Sequence, residues 1–320
     1  MKCLFCGGET LTLRYRGIPD RLKVSKKSRR ILQCSICGSL QPEPVPSASE
    51  IPSLYPEGYS FKENIGGKTR GIWNILEWQI FYAPVLRCCV ELVKKVTGIN
   101  RGKLLDIGCG SGLRILQFKL SGFTVYGCDF SETDIAYAKQ KGLSVTRVNI
   151  EEEELTGGPY DVVIAYWLVE HLREPSALVH KIYRILNPGG WVVLGIPLSD
   201  SLVARLFGGR WSSVREIPRH IGIPSRKGMS IILKKAGFQK ICYQPVSSLE
   251  LAGDLALTLW PRGNFVLTQK KHFLIGITDR VFTGFLTLLC LPLVFVLRTI
   301  GIPQSLSVYF AQKTNAGNQC

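Results

Sequence analysis

The sequence predicts an α/β fold in which a mainly parallel sheet is flanked by helices and preceded by a small cysteine-rich module. Three observations carry this. Strand-like and helix-like stretches alternate from residue 103 onward. A glycine-rich turn joins the first of those strands to the helix after it, and two Cys-x-x-Cys pairs lie within residues 1–40. Strands separated by helices of this length form βαβ units and a parallel sheet.

The chain has 320 residues, with 46 % hydrophobic and 20 % charged, enough for a sizeable core and against global disorder. Net charge is +16, from 40 Lys+Arg against 24 Asp+Glu, which favours anionic partners such as phosphate-bearing substrates, RNA or an anionic membrane face without choosing among them. Met1–Cys6 offers no apolar signal-peptide core, so a cytoplasmic location is expected. Eleven cysteines in such a chain argue against a disulfide framework.

The elements follow in order. Residues 1–45 read as a ribbon with a basic stretch, Lys23 to Arg30, between its cysteine pairs. Residues 46–100 read as a Pro/Ser/Tyr-rich linker followed by helical structure at 72–98, with Trp73, Trp78, Phe81 and Tyr82 near one side and Pro84 kinking or dividing it. Residues 101–320 form the α/β domain. Its candidate strands are 103–107, 124–129, 144–148, 160–165, 191–196, 239–246 and 305–311; its helices are 112–121, 131–141, 176–186 and 226–236. Ser131 is an N-cap, and Asn187-Pro188-Gly189-Gly190 stops the third of these helices. Glu151–Glu154 reads as a solvated helix start. The connection 197–224, carrying Trp211, Arg215, Arg219 and His220, has the length of an active-site lid. An apolar insertion at 250–304 precedes the last strand.

The turn Asp106-x-Gly108-x-Gly110-x-Gly112 lets the backbone bend and approach a ligand without a Cβ clash. It follows the buried-strand run Leu104–Ile107, and a second strand ends in Asp129, 17 residues beyond Gly112. An acid at that strand tip accepts hydrogen bonds from ribose hydroxyls. Dinucleotide-binding proteins share this logic, but their Gly-x-Gly-x-x-Gly places pyrophosphate on a helix N-terminus. Here an acid stands directly before the glycines. S-adenosylmethionine (SAM) has no phosphate but carries an amino group that Asp106 can orient, so SAM is the expected ligand of a Rossmann-like domain.

The stretch from about 100 to 240 resembles class I SAM-dependent methyltransferases, above all the branch of ubiquinone-biosynthesis O-methyltransferases and glycan-locus enzymes. The text that carries this is Leu104–Gly112, Gly127–Ser131, Tyr160–Ile164, Glu170-His171-Leu172, Ile185–Trp191, Pro218-Arg219-His220 and Ala236-Gly237-Phe238. The resemblance implies a seven-stranded sheet whose last strand, 305–311, is antiparallel. It implies that Asp106, Gly108 and Gly110 line the methionine part of SAM, that Asp129 holds the ribose with Phe130 beside the adenine, and that Asn149 and Ile150 flank the adenine edge. Many relatives have Asp where Asn149 stands.

In-line positioning supplies most of the acceleration of methyl transfer, and a hydroxyl acceptor also benefits from a general base. The candidates are His171 and His220, each equally readable as a structural histidine. The ubiquinone-type relatives place a carboxylate three residues before the Glu of Glu-His, where this chain has Trp167, which argues against a divalent ion between two carboxylates. Ala165-Tyr166-Trp167-Leu168 lacks the Asn/Asp-Pro-Pro-Tyr motif of amino-methylating enzymes, so O-methylation is expected.

Cys3-x-x-Cys6 and Cys34-x-x-Cys37 lie 27 residues apart, and Gly7 and Gly38 follow them as zinc knuckles require. Four thiolates predict a closed, structural zinc site. Methyltransferases of glycan loci often begin with such a ribbon and continue with a Tyr-Pro-x-x-Tyr segment resembling Tyr55–Tyr59; some ribosomal-RNA methyltransferases also carry one. The 17 uncharged residues Val281–Leu297 lie between Arg280 and Arg298, interrupted by Pro292. They read as an in-plane membrane contact, a buried helix or a span. The expected function is SAM-dependent methylation of a small or lipid-linked, glycan- or quinone-like acceptor at the cytoplasmic face of a membrane. The alternatives are an RNA methyltransferase whose ribbon binds RNA, and a non-catalytic SAM-binding scaffold. No aromatic-cationic platform for single strands stands out.

Overall fold

The computed structural model describes residues 1–55, 78–263 and 273–314. Trp73, the residues Pro56–Tyr59 and the first part of the helix expected at 72–98 lie outside the described residues.

Three short antiparallel strands, β1 (Leu11–Ile18), β2 (Arg29–Cys34) and β3 (Leu40–Glu43), form the amino-terminal sheet in the order β1-β2-β3. A 3-10 turn at Ile51–Leu54 leads away from it. After a π-helical turn at Trp78–Tyr82, helix α1 (Ala83–Thr97) begins with Pro84 in its first turn, where a missing N–H costs nothing. Pro84 therefore divides the segment, standing where the π-helical turn gives way to α1. Gly98, left-handed at φ 72°, ends it.

The main sheet then builds in alternation: β4 (Gly102–Ile107), α2 (Leu113–Leu120), β5 (Phe123–Asp129), α3 (Glu132–Gln140), β6 (Val145–Arg147), β7 (Tyr160–Tyr166), α4 (Pro175–Ile185), β8 (Leu186–Pro197) and, later, β9 (Gln239–Pro245) and β10 (Leu306–Gln312). The order is β6-β5-β4-β7-β8-β10-β9. Pairings among β4 to β8 are parallel, and β10 runs antiparallel to both β8 and β9. Ser131 caps α3 by accepting from the Asp134 N–H. Both faces of the central strands are buried, which explains their unbroken apolar text. Leu105, Ile107, Val163 and Leu194 pack against α4 and α7 (Arg226–Lys235). Leu104, Val162, Ile164 and Val193 pack against α1, α2 and the carboxy-terminal helices.

Two regions differ from the sequence reading, and in a third, the expected apolar helical insertion, Pro292 does not interrupt the helix. The connection 197–224 is a packed layer, not a structureless lid. It holds helices α5 (Leu202–Phe207) and α6 (Ser212–Arg215), buries Trp211, Val214, Ile217 and Arg219, and pairs Ile223 with Leu40 of the amino-terminal sheet. Its apolar residues face Ile18 and Ile31 of that sheet, which hold it down. Glu151–Glu154 lies in a hydrogen-bonded turn, in which the Asn149 carbonyl accepts from the N–H groups of Glu152 and Glu153. The apolar insertion is a helical hairpin of α8 (Ser248–Leu259) and α9 (Phe273–Thr299). Pro292 lies within α9 without ending it. The two helices run antiparallel: the Trp260 indole N–H donates to Asp279 at 3.1 Å near one end, and Arg298 donates to the Val246 carbonyl at 3.1 Å near the other.

Candidate active site

The carboxyl ends of β4, β5, β7 and β8 bring two groups of residues to one edge of the sheet. On the first side, Gly108, Gly110 and Gly112 adopt φ of 73°, 51° and 81°, values that a side chain disfavours, and so turn the chain sharply from β4 into α2. Asp106 sits at the start of this turn, fully buried, and neither of its carboxylate oxygens has a hydrogen-bond partner among the described residues. The Arg114 guanidinium, stacked over the Tyr166 ring at 4.4 Å, stands 3.7 Å away. Burial pushes Asp106 up to about 7, Arg114 draws it back and Asp129 adds to the rise. Asp129 accepts from the N–H of Gly110 and of Ser131, both at 2.9 Å, so its carboxylate shapes the glycine loop as well as facing the site. Phe130 beside it is 60 % exposed, an apolar ring left uncovered. Asn149 and Ile150 follow β6, and the Asn149 amide oxygen caps the turn by accepting from Glu151 N–H at 3.3 Å.

On the second side, a cavity of about 250 Å³ is lined by Trp167, Glu170, His171, Ser213, His220 and Leu257 among others. Trp167 is held at φ 58°, an uncommon backbone for a bulky residue. The fold brings His171 and His220 together edge to face, with ring centroids 4.9 Å apart. His171 Nδ1 is 3.1 Å from the Arg219 carbonyl and 2.9 Å from the Tyr55 hydroxyl. A carbonyl only accepts, so Nδ1 carries the proton and Nε2 keeps its lone pair. His220 Nδ1 donates in the same way to the Ser213 carbonyl at 2.8 Å. Burial pulls His171 down to about 4 and His220 well below the ordinary histidine value, so both rings are neutral at pH 7. Glu170 is buried, its Oε2 has no partner among the described residues, and burial pushes it up to about 8. Tyr55 links the two sides: its ring lies 6.3 Å from Phe130 and 6.1 Å from His171.

The four amino-terminal cysteines converge. Cys3 and Cys37 sulfurs are 3.6 Å apart, Cys6 and Cys34 sulfurs 3.5 Å apart, and all four lie within 4.8 Å of one another. The hydrogen bond between the Cys3 and Cys37 sulfurs draws the Cys37 thiol below its ordinary value and raises that of Cys3. This knuckle is seated on α7: Ser225 donates to the Cys37 carbonyl, and Lys235 donates to the Cys6 carbonyl at 3.2 Å. From the same sheet, Asp20 reaches the connection and pairs with Arg219 at 2.7 Å.

Comparison with known proteins gives one answer. A methyltransferase-domain family model matches residues 85–243. Residues 85–243 are thus a methyltransferase domain of the class I SAM-dependent type. A ubiquinone biosynthesis O-methyltransferase of Pseudomonas savastanoi pv. phaseolicola is 34 % identical over 110 residues, covering 32 % of this chain and 47 % of that protein. The match to that relative thus spans about half of its length. The Bordetella avium protein of the same description is 26 % identical over 202 residues, covering 57 % of this chain and 81 % of that one. Among solved structures, phosphoethanolamine N-methyltransferase 2 of Haemonchus contortus in complex with SAM superposes with a TM-score of 0.54 at 18 % identity, over 86 % of this chain and 62 % of that one, a likeness of fold alone.

The site fits the cofactor that such a domain implies. Asp106 is fully buried beside Arg114, but neither of its oxygens has a hydrogen-bond partner among the described residues, which is costly unless a donor such as an α-ammonium meets them. Sequence reasoning missed Arg114, Asp20 and the burial of Glu170. Arg114 stands one turn into a helix like any solvated arginine, and nothing in the text around Asp20 points to a partner in the connection.

Proposed function

We propose that this methyltransferase transfers the methyl group of SAM to a hydroxyl of a small or lipid-linked, glycan- or quinone-like acceptor at the cytoplasmic face of a membrane. The observation that carries the reading is the pairing of Asp106, whose buried oxygens have no hydrogen-bond partner among the described residues, with a separate cavity where two neutral histidines present Nε2 atoms. Bound SAM supplies an electrophilic methyl group on a sulfonium. Asp106 would accept hydrogen bonds from its amino group, with Gly108 and Gly110 alongside. Asp129 would take the ribose hydroxyls, Phe130 would cover the adenine, and Asn149 and Ile150 would border its edge. His171 Nε2 or His220 Nε2 would accept the proton of the acceptor hydroxyl, and the packed connection would exclude water.

Two features refine the reading. The cysteine cluster would hold a structural zinc ion, since its four sulfurs close around one point and leave no open position. Helix α9 is inside out for a water-facing helix. Asp279, Thr283 and Thr287 lie on its inner side, each in a hydrogen bond, while Val281, Phe285, Leu289 and Phe295 face outward. Phe285 is 58 % and Leu289 63 % exposed. Ile275–Thr299 is long and apolar enough to cross a membrane. Its inner face nevertheless packs along α8 through Cys290 and Val294, which favours an in-plane contact over a span. Arg280 and Arg298, at the two ends of the apolar run, suit anionic headgroups.

The test is turnover. Radiolabelled SAM with lipid-linked glycan and quinol-type acceptors in liposomes should give label in the organic phase, and His171→Ala with His220→Ala should lose it. Label appearing only in added RNA would replace this reading with the RNA one.

A further inference from the structure

The cavity beside the two histidines is small, and part of its wall is apolar. Its volume of about 250 Å³ lies below the roughly 300–1,000 Å³ of pockets that enclose a whole drug-sized ligand, so it holds a reacting head group and little more. Arg21, from the loop between β1 and β2, and Glu216 of the connection form an ion pair on its polar wall. Leu257 of α8 and Leu306 of β10 also line it, so the helical hairpin takes part in the cavity. Asp254, one turn before Leu257, fixes α8 there by accepting from the Trp211 indole at 3.1 Å and from the Ser212 hydroxyl. One turn beyond Leu257, the Trp260 ring meets Phe282 of α9 edge to face at 5.0 Å, and Phe282 lies 6.5 Å from Phe285. Both phenylalanines are exposed. Leu257, Trp260, Phe282 and Phe285 thus make an apolar row from the cavity to the outer face of α9. Arg262 stands over the Trp260 ring at 5.5 Å, a cation on an indole, which suits the headgroup level of a bilayer.

We propose that the acceptor is an amphiphile whose hydroxyl-bearing head fills the cavity while its apolar chain leaves along Leu257, Trp260 and Phe282 toward the bilayer. The inference rests on the reading of the cavity as the acceptor site, and it narrows that reading from small or lipid-linked acceptors to lipid-linked ones. A water-soluble acceptor with the same head gains nothing from the row. A chain laid along it gains up to about fourfold in affinity for each methylene fully removed from water. The hairpin then serves the reaction as well as the membrane: α9 meets the lipid, and α8 carries the chain from the lipid to the cavity. Leu257, Trp260 and Phe282 select for the chain and do not touch the reacting atoms.

The experiment needs no turnover. The full-length protein, with S-adenosylhomocysteine bound, is irradiated in liposomes containing dodecanol or dodecyl glucoside that carries a diazirine in the alkyl chain beside the head. Butanol and butyl glucoside with the same group serve as short-chain probes, and mass spectrometry maps the label. The long-chain probes should label Leu306 and the segment 257–260 as well as the outer face of α9, and the butyl probes should label the first two about tenfold less or weaker still. Leu257→Asn and Phe282→Ser should each lower the labelling of Leu306 by about tenfold, with S-adenosylhomocysteine binding and the label on α9 as in the wild type. Phe282 is exposed, so Phe282→Ser decides the matter should Leu257→Asn not fold. Label confined to α9, equal labelling of the cavity by the butyl probes, or labelling of Leu306 unchanged in a folded variant overturns the proposal. Methyl transfer to a soluble acceptor alongside any of these results leaves the methyltransferase reading standing for small acceptors.

Discussion

Asp20 and Arg219 lie 199 positions apart and meet at 2.7 Å with both side chains shielded from solvent. Asp20 also accepts from the N–H groups of Leu22, Val24 and Ser25, while Arg219 donates to Glu216 and to the Leu54 carbonyl. The same Arg219 offers its own carbonyl to His171. The pair therefore ties the amino-terminal sheet, the segment before Tyr55 and the connection to one catalytic candidate.

Removing one partner of a buried ion pair leaves the other charge uncompensated. Asp20→Ala should lower the unfolding free energy by about 3–5 kcal/mol. Urea denaturation measures this, and a double-mutant cycle with Arg219→Met should show strong coupling. Burial alone would raise Asp20, but the bonds from Arg219, Ser25 and Leu22 outweigh it and hold it below its usual range. Its stabilising share is thus present above the ordinary aspartate value of about 3.9 and disappears as pH falls below that.

Asp106 gives a pH signature for cofactor binding. Its carboxyl is raised to about 7, so it is largely neutral below that value and ionised above it. An ammonium group requires the ionised form. Affinity for SAM should therefore fall as pH drops through about 7, and calorimetry at several pH values reads this directly. Asp106→Asn should bind about 1.5–3 kcal/mol more weakly, and this pH dependence should vanish. An unchanged affinity in that variant would falsify the assignment of Asp106.

Metal analysis of protein purified without chelators should find zinc retained by the cysteine cluster, and Cys37→Ser should lose it. Because the knuckle is seated on α7 through Ser225, chelation should also increase hydrogen exchange in Arg226–Lys235. Exchange confined to residues 1–45 would show that the two parts are uncoupled.

The outward face of α9 predicts co-flotation with liposomes containing anionic lipid. Phe285→Glu with Leu289→Glu should abolish flotation without lowering the melting temperature, since both side chains point away from the core. Flotation that persists in the double variant would move the contact elsewhere.

The sheet was legible because its strands are buried on both faces and bounded by Gly, Pro and Ser signals, so each left an apolar run of the right length. The candidate donor site was legible for a related reason: Asp106, the glycines and Asp129 are local to two consecutive strand ends. The cavity was not. His171 and His220 were visible as candidates, but their meeting depends on a connection that reads as loop and is pinned by contacts with Ile18, Ile31 and Asp20.

By itself, then, the sequence determined the parallel α/β order, the glycine-rich turn between two acids and the grouping of four cysteines, while the antiparallel closing strand came from the family resemblance. The first three rest on spacing along a few tens of residues, where periodicity and turn chemistry act. Tertiary structure alone decided that the Asp106 oxygens are buried without a hydrogen-bond partner among the described residues and that the expected lid is a packed wall. It also decided that Glu170 joins two histidines, and that α9 turns its polar side inward. Each of these depends on which distant surface covers a residue, and burial of that kind leaves no local mark in the chain.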